Sequence, residues 1–389
     1  MRLKQLDALR AFSIGFVMIE HWGGRALNEF VPIGGGKLGV GCFFTLSGFL
    51  ITCILLQSFD SKPMHPGRVW RDFYARRLLR LAPAFYLVIL ALVLFQIEPV
   101  ASSWPWHAAY LTNIWVALGN PSNVFWSLAV EEQFYLLWPI AILFVPRRWL
   151  AAFIVAMIAT VIMSKFAIWQ LGLHAKAEQY QLYNNVPLLG AGCLLAVISS
   201  RIGHTNHFEW YSGRTATFFT AAAWFAIGAA SVLWLIAGRS GTARYLLNDL
   251  LLSIFFAWLI LQTAIGWRGV AGWVMNNSAL QYIGQISYGL YLVHNWMPDI
   301  VEKMFGPMPK WEAAPIVVVA TFAVCILSWH LIERPVLRLK RHFQAEPLER
   351  PVVVRNDEPS SAAHASSESH PHNQALRQSS PIARAEYAE

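Results

Sequence analysis

The sequence predicts an all-α integral membrane protein of about ten transmembrane helices, with both termini cytoplasmic and a disordered C-terminal tail. Three observations predict it. Hydrophobic residues make up 56% of the 389 positions and charged residues only 13%, whereas soluble domains average about 25% charged. So few charges cannot coat a water-facing surface of this size, which excludes an ordinary soluble globule and a disordered chain. The apolar residues gather in stretches of membrane-spanning length, and Lys and Arg are spread unevenly between those stretches. A formal net charge of +8 would raise nucleic acid in a soluble protein. Here the basic residues sit between apolar stretches and report topology, so no nucleic-acid partner is predicted. Cys42, Cys53, Cys193 and Cys325 each lie inside an apolar stretch without metal-ligand spacing. They read as buried hydrophobes, and no metal is predicted.

Taken in order, Arg2, Lys4 and Arg10 precede the first apolar run. No small-residue cleavage site follows it, only Glu20-His21-Trp22. This segment, near 8–24, therefore reads as a retained transmembrane helix rather than a signal peptide. Further spans are predicted near 38–57, 82–98, 129–146, 149–171, 186–200, 215–238, 245–266, 280–298 and 313–333. The stretch 104–119 is shorter and rich in Trp and Asn, and is placed at the outer interface as a belt or re-entrant piece. With the N-terminus inside, 18 of the 30 Lys and Arg fall on the cytoplasmic side and 8 on the outer side, counting the intramembrane Lys165, and the last four lie in the distal tail. That ratio favours an even count of spans. Residues 1–341 thus form one polytopic membrane domain embedded in the lipid bilayer. Residues 342–389 are dominated by Pro, Ser, His, Glu and Ala, too few of them large and apolar to order a core, and read as a disordered cytoplasmic tail.

Ionisable residues inside spans are costly and mark function by default. His21 falls just past the midplane of the first helix, beside Glu20; its structural alternative is an interhelical hydrogen bond. In the second helix Ser47-Gly48 reaches about mid-depth, either to let helices approach or to leave room for a thin ligand chain. Arg76, Arg77 and Arg80 cluster before the third span. Arg77 and Arg80, three apart, share a helical face. Topology alone does not require Arg at each position, and the planar guanidinium suits phosphate. Trp126-Ser127 opens the fourth predicted helix, followed by Glu131 and Glu132. These carboxyls complement a helix N-terminus, or stand at the depth of His21 as partners of a general base. Tyr288 and His294 lie on the ninth helix. Glu333 and Arg334 read as structural, with Pro335 stopping the tenth helix.

Together these residues resemble the integral-membrane acyltransferase 3 family of sugar and lipid O-acyltransferases. The resemblance covers about residues 5 to 338. It rests on Leu6-Asp7-Ala8-Leu9-Arg10 with His21, Phe43 to Ile51 around Ser47-Gly48-Phe49, and Tyr74 to Pro83 with its Arg-x-x-Arg. It continues through Trp126-Ser127-Leu128 to Trp138-Pro139 around Glu131-Glu132-Gln133, then Ile286 to Tyr291 with His294, and Glu333-Arg334-Pro335. The resemblance implies transfer of an acyl group, commonly acetyl, from acyl-CoA to a hydroxyl of an extracytoplasmic glycan, glycolipid or lipid-linked sugar. The setting it implies is a bacterial cytoplasmic (inner) membrane. Some family members append an extracytoplasmic hydrolase-like domain, and this chain is expected to be the membrane domain without it. Arg10, His21, Arg77, Arg80 and Glu131 match positions the family treats as functional, while Glu20 stands where the family has an apolar residue.

The resulting expectation is a site in which His21 is the general base, oriented by Glu131 or Glu132. Arg10, Arg76, Arg77 and Arg80 hold the donor, whose arm passes Ser47 and Gly48. Trp126, Ser127, Tyr288 and His294 line the remainder. An acyl-His21 intermediate is the second variant. A membrane transporter or exporter of a small anion or glycan is the alternative from another class, and predicts movement without acylation.

Overall fold

The computed structural model describes residues 4–23, 34–60, 66–172, 179–202, 222–223, 225–229 and 242–343. The predicted span 215–238 falls mostly outside these residues, and the predicted tail from 344 onward does so entirely. The described chain forms α1 (Lys4–Trp22), α2 (Gly35–Asp60), α3 (Pro66–Leu94), α4 (Val100–Ala108) and α5 (Thr112–Ala117). These are followed by α6 (Phe125–Phe144), α7 (Leu150–Gln170), α8 (Leu182–Ile202) and α9 (Thr242–Ile265). Last come α10 (Gly269–Met275), α11 (Ser278–Val293), α12 (Met297–Phe305) and α13 (Lys310–Ser328). A π-helical turn (Trp329–Glu333) leads from α13 into α14 (Arg334–Arg338) and a 3₁₀ turn (Leu339–Phe343).

Among the described residues seven stretches are long and apolar enough to cross a membrane: within α2, α3, α6, α7, α8 and α9, and from α13 through Arg338. Two further predicted spans, α1 and α11, are helical but carry more polar residues, and they pack into the bundle. α1 lies against α11 and α2, and α2 in turn against α8. Small residues make these crossings possible. A Cβ on Gly284 of α11 would stand 1.7 Å from the Asp7 carbonyl, and one on Gly192 of α8 would stand 1.9 Å from the Thr45 carbonyl. Backbone therefore meets backbone, as small residues permit in membrane bundles. In contrast, only 17% of the most apolar window is buried in α7 and in the 310–338 stretch. Their exposed Met163, Phe166, Val319 and Leu327 are suited to acyl chains rather than water.

Two boundaries, at α3 and at Pro335, differ from expectation. α3 begins at Pro66, so the Arg cluster lies on the same continuous helix as the third span rather than before it. The 104–119 stretch resolves into two short helices, α4 and α5. At ~1.5 Å per residue neither reaches ~30 Å, so neither spans the hydrocarbon. Pro335 does not stop the last helix. The wider π turn precedes it, and Pro335 takes an early position of α14, where its missing N–H costs no helical bond.

Candidate functional site

A cavity of about 550 Å³ runs between α1, α2, α3, α6 and α11 and is closed at one end by the 329–340 segment. Leu81, Leu128 and the apolar positions of α2 line it, and its charged groups gather around Arg80 at one end. Arg10, Arg77, Arg80 and Lys340 line that end together with Asp7, Glu131 and Glu333. Local structure places each of them. Asp7, buried, accepts from Arg10 Nη1 at 2.8 Å and so fixes the guanidinium one turn on. Arg77 lies 4.4 Å from the centroid of the Tyr135 ring, a cation–π arrangement. Arg76 donates to the Phe343 carbonyl at 2.5 Å and pins the 339–343 turn beside α3. Burial first, and then the guanidiniums of Arg80, Arg77 and Arg76, push the Lys340 ammonium down to about 7.

Glu131 belongs to this end. Its Oε1 accepts from Ser47 Oγ at 2.9 Å and its Oε2 from Tyr135 OH at 3.1 Å, and the Tyr135 hydroxyl also lies 3.0 Å from Ser47 Oγ. The sequence placed Glu131 at the depth of His21, and the structure corrects this. The Glu20 carboxylate accepts from the Gly36 backbone N–H at the start of α2, so His21 is level with that start. Ser47 is eleven residues further along α2, roughly 16 Å away at the helical rise. Glu131 stands beside Ser47, far from His21. Glu132 is half-buried and is not on the cavity wall. Glu20 serves the N-terminus of α2.

The partner of His21 is an imidazole. His21 Nδ1 and His294 Nε2 are 2.7 Å apart, with the rings stacked at 4.9 Å between centroids. The Nδ1 of His294 faces two carbonyl oxygens, of Tyr291 at 2.8 Å and of Leu290 at 3.1 Å. Carbonyls only accept, so Nδ1 of His294 carries a proton. In the neutral ring its Nε2 is then bare and accepts from His21 Nδ1–H. That leaves the lone pair of a neutral His21 on Nε2. Trp22 Nε1 donates to the His294 carbonyl at 3.0 Å, and His294 is fully buried, whereas His21 is exposed. The Asn277 side chain caps α11 by accepting from the Ala279 and Leu280 N–H groups, which sets the helix that carries His294.

Neither His21 nor His294 is on the cavity wall, and Tyr291 links that wall to the histidine pair. It lines the cavity, its ring centroid is 5.6 Å from that of His294, and its hydroxyl lies 2.5 Å from Ser127 Oγ. The remaining predicted residues divide. Ser47, Ser127 and Tyr288 line the cavity, with Tyr288 OH donating to the Leu81 carbonyl at 3.0 Å. Gly48 is not on its wall, since a Cβ there would stand 2.0 Å from the Leu189 carbonyl of α8. Trp126 packs edge-on against Phe44 and Tyr180. Sequence reasoning missed Tyr135 and Tyr291 as site residues and treated Lys340 only as a topological charge and Glu333 only as structural. The one signal that could have found Lys340 is its position just past Arg338, on a chain that stays helical through Pro335.

The chain matches the acyltransferase-domain family over residues 3–330, and it belongs to that family. A Bacillus subtilis protein provisionally named a peptidoglycan O-acetyltransferase is 29% identical over 379 residues, covering 85% of this chain and 54% of that protein. The peptidoglycan O-acetyltransferase of Listeria monocytogenes is 27% identical, with coverage of 85% and 55%. An O-acetyltransferase of Staphylococcus aureus is 26% identical, with coverage of 88% and 58%. The chain thus spans about half the length of these relatives. No solved structure matches it.

Proposed function

We propose that this member of the acyltransferase family moves an acyl group, acetyl in the first instance, from acyl-CoA to a hydroxyl of an extracytoplasmic glycan. The observation that carries the reading is on α1. Arg10 stands in the cationic end of the cavity and His21, bonded to His294, stands eleven residues further on, roughly 16 Å at the helical rise. That is about the reach of an extended pantetheine arm, on the order of 15–20 Å on chain dimensions. A donor whose phosphates sit among Arg10, Arg77 and Arg80 would bring its thioester to the histidines. The relatives named as peptidoglycan O-acetyltransferases support a carbohydrate acceptor. In this reading ten spans leave both termini in the cytoplasm, the cationic end opens to the cytoplasm, and His21 faces the outer side.

The chemistry follows from the tautomers. His21 Nε2 takes the proton of the acceptor hydroxyl as its oxygen attacks the thioester carbonyl. The C–S bond breaks, and the proton on His21 passes to the leaving thiolate. His294 is a positioning residue. Its ring is held by two carbonyls, by the Trp22 indole through its own carbonyl and by burial, and it keeps His21 Nδ1 protonated and the ring aimed. Glu131, with Ser47 and Tyr135, lies on the donor's path.

The test is mass spectrometry of cell-wall glycan fragments and glycolipids from cells without the gene, with it, and with His21→Ala. An acyl increment seen only with the unaltered gene is the expected result. An increment surviving His21→Ala would discard the mechanism, and identical spectra together with substrate export would replace the enzyme by a transporter.

A further inference from the structure

Resting on the donor reading above, we propose that Lys340 is a fourth cationic ligand for the donor's phosphates, closing the Arg end of the cavity from the 339–343 turn. A lysine just past a membrane span ordinarily extends outward to lipid phosphates and water. Lys340 does the opposite. It lines the cavity with Arg10, Arg77 and Arg80, and the Arg76 bond to the Phe343 carbonyl holds its turn there. Among the described residues Arg77, Arg80 and Lys340 have no carboxylate within ion-pair distance. Asp7, Glu131 and Glu333 line the same end and offset part of this charge at longer range, but half-buried cations without close partners remain unfavourable. A polyanionic ligand would supply close partners to several of them at once. A 3′-phospho-ADP group, with a diphosphate and a ribose 3′-phosphate monoester, has that chemistry, and the thin arm it carries suits a narrow path between helices better than the two acyl chains of a lipid do.

A consequence distinguishes Lys340 from its neighbours. The charged groups around it are Arg76, Arg77 and Arg80 of α3, Arg10 and Asp7 of α1, Glu131 of α6 and Glu333 of the π turn. The arginines stay protonated at any ordinary pH. Lys340, pushed down to about 7, does not. Bound phosphates would raise it again, so binding draws a proton onto Lys340. The sign follows: affinity is full below about 7 and weakens as pH rises above it, by at most about tenfold per pH unit. The phosphate monoester, with its own second pKa of about 6, is already ionised over that window.

The full-length protein in nanodiscs, titrated calorimetrically with coenzyme A and with dephospho-coenzyme A at about pH 7 and about pH 8.5, tests this. Wild type is expected to bind coenzyme A about tenfold more weakly at the higher pH. Lys340→Ala is expected to bind about tenfold more weakly at the lower pH and to show no pH dependence, whereas Lys340→Arg binds tightly at both. Lys340→Ala binding like wild type, or a pH dependence persisting in Lys340→Arg, would overturn the proposal. So would an effect of Lys340→Ala that appears only as an altered response to phosphatidylglycerol content, which would give the lysine to a lipid. Wild type binding neither nucleotide at either pH would overturn instead the donor reading on which the proposal rests.

Discussion

The cationic end of the cavity and the histidine pair beyond its wall solve opposite problems. At the cationic end, Arg77, Arg80 and Lys340 stand close together without carboxylate ion pairs among the described residues. In the proposed reading a polyanionic donor supplies their close partners. At the histidine pair every polar atom that matters is already committed. The His294 Nδ1 has its carbonyls, its Nε2 has His21, and its own carbonyl has Trp22. Only His21 Nε2 is left to act. The first end is built to be completed by a ligand, so its substitutions should move binding. The second is preorganised before any ligand arrives, so its substitutions should move the chemical step. Separating the KM for donor from kcat therefore tests the division directly.

The largest effect belongs to His21→Ala. Removing a general base costs about 10²–10⁴ in rate, so transfer measured with purified protein in vesicles should fall to near background. Coenzyme A affinity by calorimetry should be unchanged. A large loss of donor affinity would merge the two ends and break the comparison. Next comes His294→Phe, which keeps an aromatic ring but removes the acceptor behind His21 Nδ1. A mis-aimed catalytic group costs on the order of 10²-fold, and the loss should appear in kcat with the donor KM unmoved. His294→Gln, whose amide oxygen can accept in place of Nε2, should recover part of that loss. Equal defects in Phe and Gln variants would reduce His294 to packing.

Much of this division can be read in the sequence, because charge inside an apolar span is conspicuous. His21, Glu131 and His294 stand out on that ground alone. Their level in the membrane does not. The depth of Glu131 was counted from the assumed start of its own helix. The true level is set by how α1 lies on α2, through Gly39 against the Ser13 carbonyl and Gly35 against that of Phe16. Contacts between residues 19 and 26 positions apart leave no periodic trace. The same holds for His21 and His294, 273 positions apart. Pro335 illustrates a different failure. Its local preference for ending a helix is sound, but a π turn before it relaxes the constraint and carries the chain on to Lys340. The Arg cluster was legible as a phosphate site because Arg was used where Lys would satisfy topology. Lys340 was hidden for the converse reason, since a lysine past a span is what topology alone would supply.

Arg80→Ala should give an intermediate effect of the other kind. A charge-assisted contact to phosphate contributes about 1.5–3 kcal/mol, equivalent to about tenfold to a hundredfold in donor affinity. In a transfer assay the donor KM should rise accordingly, and kcat at saturating donor should stay within a few-fold of wild type. A fall in kcat alone would mean that Arg80 acts on the reacting centre, and the cationic end would lose its separate identity.

The smallest expected effect is also the most discriminating. Tyr135→Phe deletes one hydroxyl, which bonds Glu131 at 3.1 Å and lies 3.0 Å from Ser47, and leaves the ring beneath Arg77 in place. The lost bond is worth about 1 kcal/mol net, so the change should be a few-fold. Its direction carries the information. The Ser47–Glu131–Tyr135 group stands roughly 16 Å from His21 along α2, with the guanidinium of Arg77 over the Tyr135 ring. If depth decides function, Tyr135→Phe raises the donor KM and leaves kcat alone, because the group shapes the path of the donor's arm. If kcat falls instead, Glu131 acts across that distance through a rearrangement that brings the two ends together. The preorganised end would then be complete only once the donor has bound.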